Sequence, residues 1–146
     1  MLLGGGAHEP TLQKLIDSLG LRKKFFHFKN IDRQDLVSYY NVFNVFILPS
    51  LTTFDWKEQY GRVLVEAMAC GLPVVGSCSG AIGEVLEAYP KGLIFQEGDV
   101  EDLGKKIKEA EILKFPENFN LDNFLYKFSV ENFIKEHIKF YKELLK

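Results

Sequence analysis

Residues 48–80, LPSLTTFDWKEQYGRVLVEAMACGLPVVGSCSG, limit the possible folds of this chain more than any other stretch. They read as the end of a buried strand, a polar loop, one short and almost wholly apolar helix, a tight stop and a second buried strand. The same alternation continues on both sides. Apolar runs at 1–5, 25–28, 45–48, 74–76 and 92–95 predict five strands. Helical spacing follows from Pro10 to a stop at Gly20, from Asp32 and Asp35 through Phe43, over 59–70, over 80–86, from a cap at Asp99 to 112, and from a cap at Ser129 through 145. Short apolar strands alternating with helices predict an α/β fold: a Rossmann-like, open parallel sheet with helices on both faces. Such sheets bind ligands outside the carboxyl ends of their strands, and the loop after Pro49 leaves a strand at that edge.

Composition bounds the function classes. By size the 146 residues form one domain, and a formal net charge of -2 favours neither nucleic acid nor an anionic membrane as the main partner. Cys70 and Cys78, the only cysteines, lack metal-site or disulfide-framework spacing and read as reduced, buried thiols. Gly4, Gly5 and Gly6 interrupt the first apolar run, so nothing resembles a signal peptide, and a cytoplasmic location is expected. The glycine turn lacks the full dinucleotide fingerprint and reads as a tight turn rather than a phosphate cradle. His27 has no partner at metal spacing and reads as a core-edge or surface histidine, and His137 reads as a packed residue of the last helix.

The central helix carries the functional signal. Taken over 59–70, it places Tyr60, Val63, Leu64, Ala67 and Met68 on one apolar stripe, with Val65 and Ala69 opposite, so it should be deeply packed. Glu66 interrupts this surface, and a carboxylate there needs a partner. One candidate is Arg62, an i,i+4 pair; the other is a ligand with hydroxyls. Glu58 stands at the helix entrance, and eight residues of helix rise roughly 12 Å. That is too wide for a glycosidase acid–base pair, which needs about 5–10 Å. It suits two carboxylates gripping the ends of an extended polyhydroxylated ligand, with the amides of Tyr60, Gly61 and Arg62 between them as anion or hydroxyl donors. Sugar, diphosphate and ribose in a row is one ligand with that shape; a purely structural helix is the alternative.

At these residues the chain resembles the C-terminal, donor-binding domain of family 4 retaining glycosyltransferases of GT-B fold. The resemblance rests on Glu58 and Glu66, with seven residues between them, followed by Ala67-Met68-Ala69-Cys70-Gly71. Weaker matches stand in the right order: Leu3-Gly4-Gly5-Gly6, Asp35-Leu36 with Tyr40, Gly80-Ala81-Ile82-Gly83-Glu84-Val85, and Gly92-Leu93-Ile94-Phe95. The resemblance implies that Glu58 meets the donor-sugar hydroxyls as the catalytic-site carboxylate. It gives Gln59, Tyr60, Gly61 and Arg62 to the sugar and diphosphate, Glu66 to the ribose, and the backbone of Asn30 and Ile31 to the base. Lys29 departs from the family's usual glycine there.

The resemblance further implies a nucleotide-diphosphate sugar as co-substrate, no cofactor and metal-independent catalysis. The partner it implies is an N-terminal acceptor-binding half, in cis or in trans. The family's Arg and Lys pair and a histidine of the other domain would precede residue 1, so residues 1–146 are expected to be a donor domain lacking its first strand and helix, with little turnover alone. A partner subunit completing a site in trans and a structural relic are the competing readings. Glycan or lipid-linked acceptors and peripheral association of the full enzyme with the inner membrane face complete the expectation.

Overall fold

A computed structural model describes residues 1–145. Its contacts divide the chain into two compact units, Met1–Tyr39 and Tyr40–Lys146.

In the first unit, strand β1 (Leu2–Leu3) pairs in parallel with β2 (His27–Phe28), joined through helix α1 (Glu9–Ser18) and a 3-10 turn at Arg22–Lys24. Pro10 occupies the first turn of α1, where its missing N–H costs nothing, and only Ile16 of its apolar stripe is buried. The glycine turn behaves as a turn. His27 Nε2 lies 2.5 Å from the carbonyl of Gly4, and Glu9 stands in the first turn of α1. Lys29 bonds the Glu9 carboxylate at 2.8 Å and holds its pKa below the usual range. A phosphate here would meet a negative charge already in place. Helix α2 (Leu36–Tyr40) runs to the boundary of the unit and is shorter than its aromatic spacing predicts, because a turn intervenes before Phe43.

The second unit carries a three-stranded parallel sheet in chain order: β3 (Phe46–Leu48), β4 (Val74–Ser77) and β5 (Gly92–Phe95). The five predicted strands therefore form two parallel sheets rather than one hydrogen-bonded sheet. Alternation along β4 sets the two faces. Val75 points into a cluster with Phe95 and Ala110, where Ile47, Leu93 and Leu103 also pack, under helix α5 (Val100–Ala110). Gly76, on the opposite face, lets Ile82 of helix α4 (Ile82–Leu86) lie against the strand. Helix α3 (Arg62–Ala69) packs against β3, β4 and α4, with Leu64, Ala67 and Met68 fully buried. Its end is a Schellman stop: Leu72 N donates to Ala67 O at 3.2 Å and Gly71 N to Met68 O at 2.9 Å.

Asp99 and Ser129 cap α5 and the last helix as predicted, each accepting from the amide three residues on. Helix α6 (Leu121–Tyr126), capped by Asn120, was not evident from the sequence. It belongs to an aromatic layer in which Phe124 contacts Tyr89, Phe119 and Phe128. Helix α7 (Val130–Leu144) departs from expectation more sharply. Its apolar residues Phe133, Ile134, Ile138, Tyr141 and Leu144 are 50–66% exposed, and His137 stacks on Phe133 of its own helix. The periodicity that builds an amphipathic helix does not say what covers it. The thiols correct a second expectation: Cys70 is half-buried and Cys78 is exposed. Among the described residues, no helix is long and apolar enough to cross a membrane.

Candidate functional site

The loops leaving β3, β4 and β5 converge at the carboxyl edge of the sheet, and hydroxyls tie them together. Ser77, fully buried at the end of β4, donates its hydroxyl to the carbonyl of Ser50 at 2.6 Å. Ser79, also fully buried, shares a hydrogen bond with Thr52 Oγ1 at 2.9 Å. The hydroxyl of Thr52 donates to Glu97 after β5 at 2.9 Å, and its amide bonds the same carboxylate. Each buried polar group at this edge is thereby satisfied.

Glu58 is seated on this platform. Its carbonyl accepts the amide of Ala81 at 3.0 Å, directly over Gly80. A β-carbon on Gly80 would stand 1.9 Å from that oxygen, and the φ of +54° is itself left-handed, so only glycine fits. The side chain is oriented as well. Oε1 accepts the amides of Gly61 at 2.9 Å and Tyr60 at 3.4 Å, and Ser50 Oγ stands 3.4 Å from Oε2. A carboxylate has about four acceptor positions, so Oε2 keeps capacity for further hydroxyl donors.

This geometry corrects the expected helix start. Helix α3 begins at Arg62, not Gln59, because Gly61 has φ +71° and cannot continue a right-handed helix. The amides of Tyr60 and Gly61 are consequently bonded to Glu58 rather than held out at a helix terminus, and the roughly 12 Å helical rise does not apply across this loop. Gly61 is also needed for packing: a β-carbon would meet Leu64 Cδ1 at 2.7 Å. Arg62 is exposed at the first helical position, where geometry leaves amides without intrahelical partners. Gln59 and Tyr60 are exposed beside it, and Tyr60 leans edge-on against Phe128 at 6.5 Å.

Glu66 lies on α3 and is half-buried, as the need for a partner requires. The partner is Tyr40, whose hydroxyl donates to Oε2 at 3.0 Å. Among the described residues, no ion pair joins Glu66 to Arg62. Tyr40 is buried among Phe43 and Phe46. Burial raises the pKa of its hydroxyl first, and the charge it bonds on Glu66 raises it further. The Cys70 thiol is pushed up by the same two causes in the same order. Sequence reading placed Tyr40 on the helix running through Phe43; the signal missed was that a buried tyrosine hydroxyl needs an acceptor. Thr52, Ser77, Ser79 and Glu97 had no role read from the sequence. Serines closing an otherwise apolar strand were the available clue.

Asn30 and Ile31 belong to the first unit, in irregular chain after β2; Asn30 is exposed and Ile31 half-buried. Lys29 beside them is engaged by Glu9.

The sequence profile of the family described as "Glycosyl transferases group 1" matches residues 1–123. The chain belongs to that family. This group 1 glycosyl transferase chain is 31% identical over 108 residues to D-inositol 3-phosphate glycosyltransferase of Mycolicibacterium smegmatis, covering 73% of the chain and 24% of that protein. It is 29% identical over 149 residues to an uncharacterized glycosyltransferase of Methanocaldococcus jannaschii, covering 98% of the chain and 40% of that protein. Among solved structures, sucrose-phosphate synthase of Thermosynechococcus elongatus superposes with a TM-score of 0.76 at 26% identity, over 99% of this chain and 38% of that one. A glycosyltransferase of Rickettsia africae superposes with a TM-score of 0.74 at 21% identity, over 99% of this chain and 40% of that one, which speaks to the fold alone. These neighbours have the GT-B fold. The group 1 chain spans less than half the length of each relative named.

Proposed function

We propose that residues 1–146 form the C-terminal, donor-binding half of a nucleotide-sugar-dependent glycosyltransferase of family 4 that retains anomeric configuration. The carrying observation is the seat of Glu58. Its backbone is locked on Gly80 and Ala81, its Oε1 is held by Gly61, and its Oε2 has capacity for sugar hydroxyls. Glu66, held by Tyr40, takes the ribose hydroxyls; Gln59, Tyr60, Gly61 and Arg62 border the sugar and diphosphate; Asn30 and Ile31 take the base. Carboxylates are suited to this role because each accepts two hydroxyl donors, and charged acceptors make the stronger hydrogen bonds.

In this reading the reaction moves a glycosyl group from a nucleoside diphosphate to a glycan or lipid-linked acceptor without a metal, in the cytoplasm or at the membrane's inner face. Arg62 is the one cation this reading assigns to the leaving diphosphate, and little or no turnover is expected of the isolated chain. An N-terminal acceptor-binding half, in cis or as a separate subunit, completes the site. The exposed apolar face of α7 favours such a covering body.

Calorimetric titration with UDP, GDP and ADP sugars tests the proposal. Saturable heat with one base, abolished in Glu66→Ala and weakened in Glu58→Ala, is the expected result. Equal binding by Glu66→Ala refutes the ribose assignment.

A further inference from the structure

Seven residues lie between Ser50, which Ser77 ties to the end of β4, and Glu58. A carboxylate that meets particular hydroxyls must be held to within about 0.5 Å, and a loop of that length has more backbone freedom than this allows. Thr52 is where the freedom is removed, and Glu97 removes it. The half-buried Glu97 carboxylate accepts the Thr52 amide through Oε1 and the Thr52 hydroxyl through Oε2, the latter at 2.9 Å. A hydroxyl has one hydrogen to give. Because Thr52 gives its own to the carboxylate, the fully buried Ser79 must be the donor in its 2.9 Å bond with Thr52 Oγ1. The donors therefore run one way, from the loop after β4, through the loop after β3, to a charge on the loop after β5. Glu97 is itself fixed. Its amide donates to Cys78 Sγ at 3.3 Å, and the amide of Gln96 donates to Asp102 Oδ2 in the first turn of α5 at 2.7 Å. Ser79 in turn adjoins Gly80, on which the Glu58 backbone rests, so both ends of the excursion bear on two consecutive residues.

We propose that Glu97 is a positioning residue of the donor site, whose carboxylate, through Thr52, fixes the loop that aims Glu58 at the donor sugar. The inference rests on the reading of Glu58 as the donor-sugar carboxylate. It has a consequence that a purely structural role lacks. Glu66, read as the ribose carboxylate, sits on α3 with Tyr40 as its donor and takes no part in the Ser79–Thr52–Glu97 chain. Releasing Thr52 therefore loosens recognition of the sugar and leaves recognition of the nucleotide as it was. A carboxylate that only stabilised the unit would, when removed, weaken both parts of the donor together or neither.

Calorimetric titration of the intact chain separates the two parts. The probes are UDP, GDP and ADP on one side, and UDP-glucose, UDP-N-acetylglucosamine, GDP-mannose and ADP-glucose on the other. In Glu97→Ala the affinity for the nucleotide sugar should fall roughly tenfold, the scale of one hydrogen bond. Affinity for the bare nucleoside diphosphate should stay within about twofold of the parent, as for an independent site. Thr52→Val, which removes the hydroxyl at nearly constant shape, should act in the same direction, and Thr52→Ser should keep the parent's affinity. Adding Glu97→Ala to Glu58→Ala should cost no further sugar affinity, because the residue through which Glu97 acts is already gone. An equal loss for nucleotide and nucleotide sugar would overturn the positioning role and leave the donor reading standing. So would unchanged sugar affinity in both Glu97→Ala and Thr52→Val, or a fully additive loss in the double variant. A parent chain that binds no nucleotide at all would defeat the donor reading, and this role with it.

Discussion

The carbonyl oxygen of Glu58 occupies the space that a side chain on Gly80 would need, with a β-carbon there lying 1.9 Å from it. Two loops that follow different strands are thus in backbone contact, and the amide of Ala81 bonds the same oxygen at 3.0 Å. The direction of a candidate catalytic-site carboxylate is fixed by a residue that has no side chain.

Gly80→Ala should therefore damage both fold and site. The left-handed conformation alone costs about 1–3 kcal/mol for a residue with a side chain, and displacement of the Glu58 backbone adds to it. Urea unfolding should show this loss, and nucleotide-sugar binding should fall further than the stability change explains. A variant of unchanged midpoint and affinity would contradict the contact.

Tyr40→Phe removes the donor to Glu66 Oε2 while keeping the ring between Phe43 and Phe46. Hydrogen bonds to charged groups contribute about 1.5–3 kcal/mol, and partial exposure of Glu66 reduces this to about 1 kcal/mol. Denaturant melts should show that loss, together with weaker nucleotide binding as Glu66 loses its fixed orientation. Loss of stability with unchanged nucleotide affinity would assign Tyr40 to the fold alone.

Stability should decline on the alkaline side. Burial raises the pKa of Tyr40, assisted by Glu66, and also that of Tyr89, whose hydroxyl donates to Leu72 O at 2.8 Å. A raised pKa in the folded state gives stability that is complete below the unfolded value, about 10 for tyrosine, and is lost as pH rises above it. Cys70, raised likewise, adds to the loss from about pH 8.5 upward. Lys91 and Lys127, lowered by burial, act in the opposite direction. Melts of Tyr40→Phe and Tyr89→Phe across pH 8 to 11 isolate the tyrosine contribution, and each variant should fall less steeply than the parent.

Helix α7 should tolerate charge on its apolar face. Ile134→Glu with Ile138→Glu alters side chains that are 51% and 50% exposed, so the unfolding midpoint should move by less than about 0.5 kcal/mol per site. Sedimentation should show less self-association than in the parent. A loss of several kcal/mol would mean that this face is packed in solution.

Much of the architecture was legible because it rests on local rules. Strand and helix alternation, the caps at Asp99 and Ser129, and the stop at Gly71 all follow from spacing and from single residues with one favoured backbone role. Glu58 and Glu66 were found because a charge beside an almost wholly apolar helix needs a reason. What stayed hidden was non-local. Nothing near Glu58 in the chain shows that Gly80 lies beneath it, and nothing near Glu66 shows that Tyr40, twenty-six residues earlier, supplies its donor. The helix start was misplaced because Gly61 was read as a helical residue, whereas its left-handed φ keeps it outside the helix. Helix α7 shows the converse: an apolar stripe predicts the helix and leaves its neighbour undefined.

Thermal unfolding of the intact chain against UDP, GDP, ADP and their sugars, with Glu66→Ala in parallel, tests the donor-site account most directly. A ligand at a hundred times its dissociation constant adds about 2.7 kcal/mol, a rise of roughly several degrees for a domain of this size. The account predicts that rise with one base and its disappearance in Glu66→Ala. A cooperative transition that no nucleotide moves, or a rise that survives Glu66→Ala, would contradict it.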